Sequence, residues 1–310
     1  MSLEECLRYV QQAKEARLSQ IGFSGGEPFL FLPVITQVMA AASALGVSAS
    51  ITTNCFWAVS EQQALSLLRP LKKAGLTSLN LSTSQFHLEF IPAGRIVTAA
   101  RAATQIGLSV RINCIRTESF SAAAYRSLLA GIPESCEFVF IPCIPTGRAH
   151  DLVSIQELSR QNRIPQGCCR QHFTKLAVTT EGDVYPCCSP GGFTEPLKLG
   201  NLREDDLAMI VDRAQTSSLH QVLDTVGPSF FVAFIKNRLG PLALSQPFVD
   251  QCHLCNQIMS NPAMRSIVYA VVEQLDRERK EMNQIDEGAQ EIPEIVGAQP
   301  GLSQSLLERR

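Results

Sequence analysis

The chain has 310 residues, 45% of them hydrophobic and 18% charged, and carries a formal net charge of −2. That balance describes a globular protein with a sizeable core and gives no electrostatic case for nucleic acid or an anionic membrane as partner. The opening MSLEECLRYVQQAKEARLSQ is an amphipathic helical pattern without a basic or apolar leader region, which excludes a signal peptide and predicts a cytoplasmic protein.

The first apolar run after that helix, at 19–24, opens a series. Runs at 48–53, 77–82, 108–115 and 136–142 follow, starting roughly 30 residues apart, and each reads as a strand. Helical patterns at 33–45, 60–74, 92–106 and 121–130 separate them. Ser60 with Gln63 forms a capping box, and Gly46, Gly75 and Gly107 stand where helices stop. The most apolar stretch, Phe29 to Ile51, is interrupted by Pro33, Thr36, Gln37, Ser43 and Gly46, so it reads as a buried helix and strand, not a membrane span. A β–α repeat of this length predicts an α/β fold with parallel strands and right-handed crossovers, an open sheet or a barrel. Ligands of such folds gather at the C-terminal strand ends. Because the series opens on a helix, the first strand of a barrel is apparently missing, which predicts a polypeptide that starts late, at an internal Met.

After Ala149 the repeat breaks. Residues 168–202 read as a cysteine-flanked hairpin turned at Glu181-Gly182-Asp183, followed by helical segments at 203–223 and 228–238 and by a helix to about 281. The expected organisation is a β/α unit over 1–150, a cysteine-rich extension over 151–282 and a disordered tail over 283–310.

Eleven cysteines, an odd number in a large domain without an export signal, argue against a disulfide scaffold. Cys169 and Cys187 flank the hairpin, with twelve residues between Cys169 and Gly182 and four between Gly182 and Cys187, and Cys252-His253-Leu254-Cys255 adds a CxxC pair. Such a pair is the local unit of a sulfur-ligated metal site. Cys168 and Cys188 are alternates beside two of these ligands, and four thiolates can hold an iron–sulfur cluster or zinc. Cys114, Cys136 and Cys143 lie in or beside strands and read as core, Cys55 as a buried thiol, and Trp57 as packing at a loop-to-helix junction.

The sequences at the strand ends carry a resemblance. Gly25-Gly26-Glu27-Pro28 resembles the GGEP motif of the radical S-adenosylmethionine enzymes, Thr52-Thr53-Asn54 their "TNG" strand end with Cys55 in place of glycine, and Ser82 to His87 their ribose-contacting strand end. Pro145-Thr146-Gly147-Arg148-Ala149 resembles the segment leading into the C-terminal extension of peptide-modifying members, and the later cysteines resemble the SPASM or twitch form of that extension. Two departures stand out: Ser84 occupies a position where Asp is often found, and the CxxxCxxC motif that holds the radical-generating 4Fe–4S cluster is absent from this sequence.

The resemblance implies a partial (β/α) barrel that binds S-adenosyl-L-methionine. Gly25, Gly26, Glu27 and Pro28 would meet the methionine end, with the Glu27 carboxylate projecting to an ammonium. Asn54, Ser82 and Ser84 would meet the nucleoside, and Arg116 the carboxylate. It also implies an auxiliary 4Fe–4S cluster on Cys169, Cys187, Cys252 and Cys255, a reductant such as flavodoxin or ferredoxin, and a 5′-deoxyadenosyl radical that takes hydrogen from a peptide or small-molecule substrate. Without CxxxCxxC the chain as given is expected to be inactive. The alternative is a non-catalytic barrel that binds S-adenosylmethionine or a peptide, stapled by structural zinc.

Overall fold

The computed structural model describes residues 1–244 and 247–290. Five strands, β1 (Gln20–Phe23), β2 (Ser48–Thr53), β3 (Leu76–Thr83), β4 (Ser109–Arg116) and β5 (Glu137–Pro142), form one sheet in sequential order with every pairing parallel. The strands fall within a residue or two of the expected runs. Helices α1 (Leu3–Glu15), α2 (Leu32–Ala44), α3 (Glu61–Lys73), α4 (Gln85–Leu88), α5 (Ala93–Gln105), α6 (Ala122–Leu128) and α7 (Arg148–Leu152) complete this half. Ser60 accepts a hydrogen bond from the Gln63 amide at the start of α3.

Strand alternation divides the sheet into two unlike faces. Ile51, Leu79, Leu81, Ile112 and Cys114 are fully buried in one core with Leu68, Ile96 and Ala99 of the helices. The intervening positions on β3 and β4 are polar: Ser78, Asn80, Ser82 and Asn113 are partly exposed and Arg111 is exposed. A parallel sheet covered on both faces is apolar on both. This one is polar along the middle of its second face, where only Ile115 joins a further cluster with Cys143, Val153 and Leu158, and the sheet is open, with β1 and β5 as its edges among the described residues.

The C-terminal half holds a small antiparallel sheet, β6 (Ala177–Val178), β7 (Asp183–Tyr185) and β8 (Gly200–Asn201). Its third strand has no counterpart in the sequence reading. Helices α8 (Leu207–Thr216), α9 (Ser218–Thr225), α10 (Val232–Leu239), α11 (Gln251–Ser260) and α12 (Pro262–Gln290) follow. The helical stretch expected at 203–223 is thus two helices broken at Ser217, and α12 continues to Gln290, past the expected start of the tail at 283. Residues 291–310 lie outside the described residues. None of the described helices is long and apolar enough to cross a membrane.

Helix α1 joins the two halves. Its Val10 packs with Val38, Ala42 and Val47 of the first half, while Tyr9 and Ala13 share a core with Val184, Leu199, Leu202, Leu207, Ile210 and Ala214. Glu5 pairs with Arg203 at 2.7 Å, and the Gln12 amide donates to Asp206 at 2.8 Å while its carbonyl accepts from the Leu207 amide at 3.3 Å.

Candidate cofactor and metal sites

The loop after β1 begins with Gly25 and Gly26 at φ +80° and +53°, a conformation that glycine adopts without steric cost. A Cβ added at either would meet nothing within 4 Å, so both backbones stand open at the C-terminal end of the sheet. The next residue differs from expectation. Glu27 does not project free into this space; its carboxylate is buried and already accepts three hydrogen bonds from the protein. Oε1 receives the Thr53 hydroxyl at 2.8 Å and the Phe29 amide at 3.2 Å, and Oε2 the Asn54 amide at 2.9 Å. A carboxylate has room for about four donors, which leaves one position for a ligand. Pro28 opens a single 3₁₀ turn, Pro28–Leu30, and α2 starts only at Leu32.

Glu27 thereby binds the β1 loop to the end of β2. Thr53 Oγ1 also accepts from Trp57 Nε1 at 2.9 Å and from the Cys55 amide at 3.2 Å, while Phe29 stacks on Trp57 with ring centroids 4.1 Å apart. Trp57 is the packing residue expected, with its indole nitrogen satisfied. Cys55 is fully buried and sits at φ +69°, in the left-handed region where the resembled motif has glycine. Burial pushes its thiol far up, with the Glu27 charge adding to the effect.

At the end of β3 the side chain of Ser84 is engaged by its own turn. It caps α4 by accepting from the His87 amide at 3.1 Å and shares a 2.7 Å hydrogen bond with His87 Nδ1. Desolvation lowers the His87 pKa, while the Glu27 charge acts in the opposite sense. Ser82 lies on the polar face. Two further polar atoms at strand ends, Thr83 Oγ1 and Arg116 Nε, are buried and find no partner among the described residues. Leaving such atoms unpaired costs about 1–3 kcal/mol each, so their presence at the same end of the sheet as the open glycine loop fits a site completed by a polar ligand.

The second site is built by the two cysteine segments. Cys169, Cys187, Cys252 and Cys255 line one cavity with about 380 Å³ of atom-free space, part of it open to solvent. The hairpin, turned at Gly182 with φ +89°, brings the first pair together. The first turns of α11, capped by Asp250 accepting from the His253 amide at 2.9 Å, present the second pair. Burial pushes the Cys187 thiol up, Cys252 up to about 11 and Cys255 well above the ordinary thiol range. Neighbouring thiolates add to each shift, Cys169 in all three, so the four sulfurs are within electrostatic reach of one another. A metal centre that takes these thiols as thiolates must displace their protons. Among the described residues no three His, Cys, Asp or Glu side chains close round a single point as one metal ion requires.

Cys168 and Cys188 are exposed and line no part of the cavity. His253 is occupied, accepting from the Val249 amide at 3.1 Å and bonding Gln257 at 3.0 Å. Three features of the cavity escape the sequence reading. Gly191 and Gly192 form one wall, within the 3₁₀ turn Pro190–Gly192, and His172 forms another. Behind it His220 Nδ1 meets His172 Nε2 at 3.2 Å, and burial lowers both imidazoles to about 4.

Residues 168–256 match the family model of SPASM, an iron–sulfur cluster-binding domain. The match spans the cysteines whose spacing resembles that extension. Over 265 residues, 84% of this chain and 83% of the relative, the sequence is 18% identical to YydG of Bacillus subtilis (strain 168), a protein named for peptide biosynthesis. Among solved structures, BtrN in complex with AdoMet and 2-DOIA covers 72% of this chain and 74% of its own, at 15% identity and a TM-score of 0.38.

Proposed function

From the match of residues 168–256 to the SPASM iron–sulfur cluster-binding domain, we propose that this chain is the cofactor-binding and auxiliary-cluster part of a radical S-adenosylmethionine enzyme that modifies a peptide. The observation that carries the reading is the convergence of four thiols, from segments more than sixty residues apart in sequence, on one cavity. The match of residues 168–256 to an iron–sulfur cluster-binding domain supports a polynuclear iron–sulfur centre over zinc, which needs its four sulfurs about 2.3 Å from one point.

When bound and reduced, S-adenosylmethionine supplies a carbon radical that takes a hydrogen atom from the substrate. The chain's own task is binding, orientation and exclusion of water. The open Gly25-Gly26 backbone and the remaining acceptor position of Glu27 suit the ammonium of the methionine end. Arg116 suits its carboxylate, and Asn54, Ser82 and Ser84 the nucleoside side. Ser84 acts there through its backbone and through His87, since its hydroxyl already caps α4. The polar open face of the sheet suits a substrate that lies across β3 and β4. A peptide is the class favoured by the similarity to YydG. The radical-generating cluster requires ligands of the CxxxCxxC type, which residues 1–310 do not contain.

The test is metal analysis of the anaerobically purified chain. The expected result is about four irons and four sulfides per chain, lost in Cys187→Ala and in Cys255→Ala. One zinc per chain and no sulfide would replace this reading with a structural metal module.

A further inference from the structure

The turn that follows the second cysteine contributes no ligand atom, yet it fills the gap between the two ligand pairs. Ser189 to Gly192 closes on a hydrogen bond from the Gly192 amide to the Ser189 carbonyl at 2.8 Å, and both glycines are buried. Neither lies in the left-handed region, so their backbones are open to any residue. What forbids a side chain is space. A Cβ at Gly192 would stand 2.3 Å from Cys187 Sγ, and one at Gly191 would stand 2.7 Å from the Cys252 carbonyl oxygen and 3.1 Å from Asn256 Cβ.

The two collisions differ in kind. Cys187 Sγ is the free end of a side chain with one rotatable bond, and it yields by turning to another staggered rotamer. The Cys252 carbonyl belongs to the first turn of α11 and yields only if the helix start moves. One glycine therefore guards the direction of a sulfur, and the other guards the approach of the helix that carries the second pair.

We propose that Gly192 is a positioning residue for the metal centre: its missing side chain is the space that lets Cys187 aim its sulfur into the cavity. Gly191 performs the matching service for Cys252 by letting the turn dock against the α11 backbone. This rests on the reading of the four cysteines as cluster ligands, and the two are separated by measuring the chain with and without metal.

The experiment compares wild type, Gly192→Ala, Cys187→Ala and the double variant. After anaerobic reconstitution, Gly192→Ala is expected to lose iron and sulfide at least about five-fold, to the level of Cys187→Ala, and the double variant to fall no further. The metal-free Gly192→Ala chain should keep the wild-type melting temperature. In that metal-free chain, peptide mass mapping of N-ethylmaleimide adducts should show Cys187 alkylated about ten-fold faster than in wild type, because the rotated thiol leaves its buried position. Full iron loading of Gly192→Ala, or unchanged Cys187 alkylation, overturns the proposal. So does a collapse of the metal-free fold, which would assign the glycine to the backbone rather than the sulfur. A wild-type chain that takes up neither iron nor sulfide sinks the cluster reading, and the alkylation rates still decide the role of Gly192.

Discussion

Replacing Glu27 by Gln separates a ligand-binding carboxylate from one that holds the loops together. The two side chains have the same shape, but Gln offers one acceptor oxygen where Glu27 offers two. If the amide oxygen takes the place of Oε1, the new NH₂ faces the Asn54 amide, which now donates to Oε2 at 2.9 Å. If it takes the place of Oε2, the NH₂ faces the Phe29 amide and a Thr53 hydroxyl that already accepts from Trp57 and Cys55. Either orientation loses at least one hydrogen bond to a charged acceptor, about 1.5–3 kcal/mol, and leaves a buried donor without an acceptor. The expected cost is about 2–3 kcal/mol, or a melting temperature lower by roughly 3–5 °C for a chain of this size. It appears in the absence of any cofactor. Trp57, the sole tryptophan, is buried and hydrogen-bonded within this network, so its emission should shift to the red in the variant before global unfolding. A Glu27→Gln chain that melts within about 1 °C of wild type, with unchanged emission, would refute the structural role.

Cys55 should reverse the usual order of small substitutions. At φ +69° alanine keeps the strain that glycine relieves, so Cys55→Gly is expected to be more stable than Cys55→Ala by about 1 kcal/mol in urea unfolding, and the opposite order would be inconsistent with the backbone conformation. The His172–His220 pair makes the metal-free chain acid-sensitive. Burial lowers both pKa values to about 4, beneath the unfolded value of about 6.5, so the folded state binds fewer protons than the unfolded state in between. The stability of the neutral pair is present above about pH 6.5 and lost as the pH falls through about 4. His220→Phe should flatten that acid limb in thermal melts, and an unchanged slope would remove the pair from the account.

The sheet was legible because each strand and helix carries its own signal. Strands of four to eight residues show β-branched runs, and the helices between them stop at Gly46, Gly75 and Gly107 as expected. The cysteine spacing named the four residues that line the cavity, although not that Cys168 and Cys188 turn outward. What remained hidden depends on contacts distant in sequence. Strand β8, two residues long, has no periodicity to detect, and the Ser217 break interrupts an otherwise continuous apolar pattern. Two of the three donors to Glu27 lie 26 and 27 residues away, and the imidazole that meets His172 lies 48 away, so the local sequence does not announce them. Gly191-Gly192 reads in sequence as an ordinary turn. Only the position of Cys187 Sγ shows that space, not backbone freedom, is what these glycines provide.

The divided allegiance of α1 has a cost in time. Val10 finds its partners on α2 and at Val47 soon after synthesis, but the face bearing Tyr9 and Ala13 is completed by residues from 184 to 214. At roughly 5–20 residues per second, a ribosome takes about 10–40 s to deliver them. For that interval a nascent chain shows an apolar stripe along α1, which makes this helix a segment where a chaperone gains by binding. Release of that stripe coincides with emergence of the Cys169–Cys187 hairpin but precedes Cys252 and Cys255, so the two halves are already fastened together when the last cavity thiols leave the ribosome.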